Sequence, residues 1–243
     1  MKILPVLGKQ KGVSKFWRGI LKAGGKEKYD QPDMIVVLGG DGTFLGAQRR
    51  YYKKKVPFVG VGFGRINFLL NRSFRDPELF YNRLVEKNKW KKFSMRGIRA
   101  FMQTESGQSE GVAFNDVYVK SLNPAGVVNL SLRSREYNNL EVSGDGLIVA
   151  SPQGSTAYNR VAGGTILPLE SNLWCVTGIC TAEKLHTTVL PGEIHIKILR
   201  GPAVAVIDNQ IYKRVRKIKI VPADYLTEIW INPRENFEQR RYR

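Results

Sequence analysis

The hydrophobic pattern of the chain is organised around one apolar run, MIVVL at residues 34–38, that breaks off into GGDGT at residues 39–43. A run without alternation and rich in β-branched residues suits a strand covered on both faces in a parallel sheet. The next segment, residues 44–52, puts Phe44, Ala47 and Tyr51 on one helical face with Gln48, Arg49 and Arg50 beside them, and so predicts a helix. Upstream, KILPVLG at residues 2–8 predicts a first strand weakened by Pro5, and residues 13–22 predict a short amphipathic helix. Gly24, Gly25 and a polar stretch to Asp33 lead into the central strand. Downstream, residues 57–61 predict another strand that ends among Gly60, Gly62 and Gly64. Asp76-Pro77 then signals a helix start, with Leu79, Phe80 and Leu84 at helical spacing towards Lys87. This βαβα order predicts an α/β amino-terminal domain over residues 1–92, built on an open, mostly parallel sheet.

From about Phe93 the texture changes to short stretches of two-residue alternation. Ile194, Ile196 and Ile198 form one, and Val215, Ile218 and Ile220 another. Turn residues separate the stretches: Asn123-Pro124, Asn138-Asn139 and Gly201-Pro202. The spacing predicts a β-rich, antiparallel carboxy-terminal domain over residues 93–225. Residues 226–243, polar and basic at their end, either pack back onto the first domain or fray. There is no internal repeat and no low-complexity tract.

Composition narrows the classes. Apolar residues make up 42% and charged residues 25%, as in ordinary globular chains. No apolar run approaches the ~20 residues of a membrane helix, and MKILPVLGKQKG is too quickly basic for a secretory signal, so the expected location is the cytoplasm, with no membrane partner. Cys175 and Cys180 are too few for a disulfide framework or a zinc site and read as buried free thiols; His186 and His195 read as surface or strand residues. The net charge of +18 raises the question of nucleic acid. The basic clusters are scattered and no nucleic-acid module is recognisable, so nucleic acid is not the expected partner; a positive field equally favours small polyanions.

The chemistry begins at the glycines. Glycine after a buried strand lets a ligand approach the main chain, and the N–H groups opening the next helix are prepared for phosphate. A carboxylate, Asp41, in such a turn has work there only if it meets a metal ion or takes a proton from an attacking hydroxyl. A hairpin turn at Asp41-Gly42 is the competing reading. Neither a GxGxxG nor a Walker GxxxxGK[ST] pattern is present, so no loop lysine reaches phosphates; Arg65 and Arg160 are nearby substitutes in the sequence.

A second constellation lies at residues 144–158, GDGLIVASPQGSTAY, where Ser155 and Thr156 are placed to cap a helix running through Ala157 and Tyr158. Upstream, Asn115 and Asp116 offer an amide and a carboxylate able to grip ribose hydroxyls or a carboxamide. A simple capped helix with a core tyrosine, and an Asx turn, are the alternatives.

In this order, GGDGTFL at 39–45, GVGFGRINFL at 60–69, AFND at 113–116 and GDGLIVASPQGSTAYNRVAGGTI at 144–166 resemble the NAD kinase family over nearly the whole chain. The resemblance implies transfer of the γ-phosphoryl of ATP to the 2′-hydroxyl of the adenosine ribose of NAD, giving NADP. It implies NAD and ATP as partners, with polyphosphate as a second possible donor, Mg²⁺ as the cation accompanying ATP, and a homodimer or homotetramer. By it, Asp41 deprotonates the 2′-hydroxyl; Gly39, Gly40, Gly42 and Thr43 lie along the phosphates; and Phe68, Asn115, Asp116, Asp145, Ser155, Thr156, Ala157 and Tyr158 bind NAD. No protein metal ligands are implied. The chain departs from the family pattern at Gly62, where GxNxG has Asn, and at Asn67, where LGF has Gly. Two rivals stand beside this reading: a lipid or sphingoid-base kinase sharing the GGDGT turn, and a non-catalytic basic nucleic-acid-binding relative.

Overall fold

The computed structural model of the chain describes residues 1–182, 185 and 187–242. His186 therefore lies outside the described residues. Two compact units are present, Met1–Met95 with Leu226–Arg243, and Arg96–Tyr225.

The first unit opens with β1 (Lys2–Leu7), α1 (Val13–Lys22), β2 (Lys26–Glu27), β3 (Met34–Gly39), α2 (Asp41–Tyr51), β4 (Phe58–Gly62) and α3 (Pro77–Val85). Its strands are parallel in the order β2-β1-β3-β4, and Ile229 and Trp230 continue the sheet beside Phe58 and Val59. All six residues of β3 are buried, as an unalternating apolar run requires when both sheet faces are covered. Pro5 is tolerated because β2 reaches only Lys2 and Ile3, leaving the rest of that side of β1 without a ladder. Helix α1 buries Val13, Phe16, Trp17 and Ile20, and α3 buries Phe80, Tyr81 and Leu84. Asp76 caps α3 by accepting from Leu79 N at 2.8 Å, with Pro77 at the first helical position. Leu79 itself is 67% exposed, because the face set by Phe80 and Leu84 turns it away from the core.

The second unit is built from antiparallel strands: the latter part of β5 (Lys91–Thr104), then β6 (Gly107–Ala113), β7 (Asp116–Ser121), β8 (Val128–Arg133) and β9 (Leu140–Ala150). After a 3-10 turn at Gly154–Thr156 come α4 (Tyr158–Val161), β10 (Leu173–Thr181), β11 (Thr188–Pro191), β12 (Ile194–Arg200), β13 (Ala203–Ile207), β14 (Gln210–Lys213) and the first part of β15 (Val215–Ile231). The path β14-β13-β7-β9-β8-β12-β15 continues through β5 to β6. Its apolar faces meet in one core that includes Ile98, Leu130, Leu147, Trp174, Ile196 and Ile218. The expected architecture, an open parallel α/β half followed by a β-rich half, is borne out in both parts. The chain ends in α5 (Phe237–Arg241), which belongs to the first unit and packs Phe237 against Phe93 at 5.2 Å.

Two local expectations are corrected. Helix α2 begins at Asp41 rather than Phe44, because extended Gly40 (φ −114°, ψ −179°) caps it and Phe44 N closes the first turn on Gly40 O at 3.1 Å. The hairpin reading falls with this. Only Cys175 is a buried thiol, its pKa pushed up to about 12 by burial; Cys180, at the end of β10, is exposed. Among the described residues no helix is long and apolar enough to cross a membrane.

Candidate functional site

In the first unit the candidate residues gather where β3 passes into α2. Gly39 is required there by packing: a Cβ on it would lie 2.6 Å from Thr43 Oγ1. Above Gly42 the space is open, with nothing within 4 Å of an added Cβ. By helix geometry the N–H groups of residues 41–43 have no acceptor within α2, and they stand at the positive end of its dipole. Asp41 opens this turn and is half-buried. Its carboxylate does not swing freely: Phe68 N donates to Oδ2 at 2.9 Å and Leu69 N donates to Oδ1 at 2.8 Å. Phe68, expected at the NAD site, holds Asp41 through its backbone N–H. Arg65 lies exposed on the same loop.

The loop that grips Asp41 is itself held by residues that sequence reading did not single out. Asn71 donates to Gly60 O at 2.8 Å and accepts from Asn232 N at 2.7 Å. Glu235 Oε1 accepts from Arg72 N at 2.6 Å and Ser73 N at 2.7 Å, and Arg240 donates to Leu70 O at 3.3 Å. The last stretch of the chain therefore fixes the loop whose amides fix the carboxylate. No local pattern in residues 232–240 announces this, since the partners lie about 160 positions earlier.

The two departures from the family pattern in this region are one exchange. Asn67 is buried, with φ 54°, and its amide bonds both Gly64 N (3.0 Å) and Gly64 O (2.6 Å). A Cβ added at Gly62 would lie 2.6 Å from Asn67 Cγ. The amide at position 67 fills the space that a side chain at position 62 would take. Gly62→Asn alone is expected to destabilise the protein by ~2 kcal/mol or more through overpacking. Adding Asn67→Gly, which suits the left-handed backbone there, is expected to restore most of the loss. A thermal-unfolding double-mutant cycle checks this, and additive losses would refute the exchange.

In the second unit, Asn115 and Asp116 lie at the start of β7 against the turn that follows β9. Ser151 N donates to Asn115 O at 2.8 Å, and Gln153 Nε2 reaches Asn115 Oδ1 at 3.2 Å. At Gly154 a Cβ would lie 2.0 Å from Asn115 O, so only glycine permits this approach. Ser155 and Thr156 are not helix caps: Ser155 Oγ donates to Pro152 O (2.8 Å) and accepts from Leu167 N (3.0 Å), while Thr156 Oγ1 donates to Gln153 O (3.3 Å). These hydroxyls instead brace a 3-10 turn, because Ala157 (φ −94°, ψ −126°) separates it from the four-residue α4. Tyr158 is half-buried and meets the edge of Tyr118 with ring centres 5.1 Å apart. Arg160 lies on α4.

Asp116 is 5% exposed, and burial, assisted by the nearby charge of Asp208, pushes its pKa up to about 7. Asp208, in a left-handed conformation (φ 52°), accepts from Phe114 N (3.0 Å), Asn115 N (2.9 Å) and Asp116 N (3.2 Å). Asp145 is placed apart: it is exposed on β9, five residues from Ala150, the partner of Asp116, or ~17 Å along the strand. Buried Asn159 holds the loop after α4 through Ser155 O, Thr165 O and the Thr177 hydroxyl.

Among the described residues no cluster of three or more His, Cys, Asp or Glu side chains is placed to hold a metal. One carboxylate beside open main-chain donors fits a divalent cation that arrives on phosphates and keeps its waters, rather than one caged by protein.

Comparison with known proteins agrees with this geometry. Residues 6–88 match the family model of the ATP-NAD kinase N-terminal domain, and residues 114–223 that of the ATP-NAD kinase C-terminal domain. A Rickettsia bellii protein named NAD kinase is 32% identical over 221 residues, 87% of this chain and 84% of the relative. A Rickettsia akari NAD kinase is also 32% identical, over 79% of this chain and 77% of the relative. In fold, the chain is similar to the crystal structure of an NAD kinase from Archaeoglobus fulgidus in complex with ATP, with a TM-score of 0.80 and 22% identity over 98% of this chain and 96% of that one. Yeast NADH kinase complexed with NADH gives a TM-score of 0.77 at 22% identity, over 89% of this chain and 68% of that one. With both domain models matched across more than half its length, the chain belongs to the NAD kinase family.

Proposed function

We propose that the chain transfers the γ-phosphoryl of ATP to the 2′-hydroxyl of the adenosine ribose of NAD, with Asp41 as the base that takes the hydroxyl proton. The observation that carries this reading is the grip on Asp41: a carboxylate at the first position of a helix, both oxygens held by backbone N–H groups of residues 68 and 69. A ribose hydroxyl is a poor nucleophile near neutral pH, and a positioned base contributes ~10²–10⁴ in rate. The remainder comes from alignment and from charge stabilisation by the main chain at Gly39, Gly40, Gly42 and Thr43. Mg²⁺ bound with ATP would draw its ligands from phosphate oxygens, water and at most Asp41, and would neutralise charge on the transferred group. Asn115 and Asp116 hold the ribose of NAD, and the Ser155–Tyr158 segment and Phe68 line its site. The assembled enzyme is a cytoplasmic homodimer or homotetramer.

The lipid-kinase and non-catalytic readings are not favoured, because both matched models are NAD kinase domains. Tyr158→Ala is expected to weaken NAD binding about tenfold through lost ring contact, with little change in ATP affinity. Titration calorimetry with each ligand checks it; unchanged NAD affinity removes Tyr158 from the site. NADP formation from NAD, ATP and Mg²⁺ tests the reaction itself.

A further inference from the structure

The second unit carries a cleft of ≈ 660 Å³ on the outer face of β6, β5, β15, β12 and β8, and none of the proposed NAD-binding residues lines it. Its floor is a grid of cations. Strand pairing places Arg133, His195 and Lys219 in one row across β8, β12 and β15, and Ser131, Lys197 and Lys217 in the next. Neighbouring side chains in a row are ~5 Å apart and rows ~7 Å apart, so the like charges of Lys197 and Lys217 face one another directly, an arrangement that is destabilising on its own. Glu193 pairs with Lys219 (2.6 Å) and His195 (2.5 Å), Glu105 with Arg214 and Arg216, and Glu110 with Arg99. Glu141, opposite Ser131 on β9, makes no ion pair among the described residues. Arg133, Lys197 and Lys217 likewise have no ion-pair partner among the described residues. At the β5 side of the cleft stands Phe101, 36% exposed, with the Arg99 guanidinium 4.8 Å from its ring centre. Amides of Gln103, Gln108, Asn138 and Asn139 complete the lining.

We infer that this cleft is a binding site for single-stranded nucleic acid, its unpaired cations meeting backbone phosphates and Phe101 stacking on a base. Unpaired cations following a groove beside an aromatic platform are the two parts such sites combine. The amides suit the exposed edges of unpaired bases, which a duplex hides. The site also gives a function to part of the +18 charge that phosphoryl transfer leaves unused.

The test uses the full chain and a fluorescein-labelled oligouridylate of ~12 nucleotides, the length such sites cover. Arg133→Gln/Lys197→Gln/Lys217→Gln is compared with a variant losing equal charge at exposed positions of the first unit, Lys15→Gln/Lys22→Gln/Lys87→Gln. The cleft variant is expected to bind at least ~10-fold more weakly at low salt. The slope of log K against log salt should become shallower by ~2, as loss of three phosphate contacts requires. Phe101→Ala should cost ~5-fold or more, and Phe101→Trp should retain binding. NADP formation by all variants should stay near that of the parent. Equal losses in the two triple variants would attribute binding to diffuse charge and overturn the inference. So would a duplex of the same length binding as tightly as the single strand. A change in sedimentation of the cleft variant without a change in oligonucleotide affinity would assign the face to a second copy of the chain, and would also overturn it.

Discussion

Asp41→Asn is expected to lower kcat for NADP formation by ~10²–10⁴ while NAD binding stays within a few-fold. The amide keeps the size of the carboxylate but cannot take the hydroxyl proton. The structure adds a second consequence. Both carboxylate oxygens accept N–H groups, from Phe68 and Leu69, so an amide must turn its NH₂ towards one of them and leave that donor without an acceptor. That costs ~1–3 kcal/mol of stability, which thermal unfolding reads separately from turnover. Near-parental kcat in this variant would remove Asp41 from the base role. A fall in melting temperature with unchanged kcat would leave it only the task of holding the loop.

The second large effect is expected at Asp208. Asp208→Ala strips the acceptor from three backbone N–H groups at residues 114–116 and should destabilise the protein by ~3 kcal/mol. Because those groups carry Asn115 and Asp116, KM for NAD should rise more than kcat falls. The variant should also change the pH dependence of stability. The Asp116 carboxyl titrates at about 7 in the folded chain, well above its ordinary value, through burial first and the Asp208 charge second. Between the unfolded and folded values the native state binds more protons, so stability falls as pH rises through that window, by at most ~1.4 kcal/mol per pH unit. Below it the effect is absent, and above it the loss is complete. Removing the Asp208 charge should make the decline shallower while burial keeps part of it. Urea unfolding at pH 5 and pH 7 measures this, and an unaltered slope would refute the coupling of the two carboxyls.

The parts of the molecule that were legible in advance are those whose signal is local. Residues 34–38 announce a doubly covered strand because every side chain in the run must be buried. Asp76-Pro77 announce α3 because cap and first-turn geometry are set within four residues. The β-rich half was readable from alternation, since one face of each strand enters a shared core. Where local signals competed, the reading slipped: Ser155 and Thr156 carry the hydroxyls of a helix cap but brace a 3-10 turn, because Leu167 and Pro152 supply other partners. Leu79 fits a helical count yet faces out, since periodicity does not say which face meets the sheet.

By itself the sequence determined the order of elements, the buried strand before GGDGT, and the family to which these motifs belong. Only the tertiary structure decided what holds the reactive groups. The amides of residues 68 and 69 on Asp41, the grip of Glu235 and Asn232 on that loop, the exchange between Gly62 and Asn67, and the three N–H groups gathered by Asp208 all join positions distant in the chain or unmarked by type. Backbone donors are identical at every residue except proline, so composition and spacing carry no trace of which one meets a carboxylate. That choice is made when packing brings the segments together.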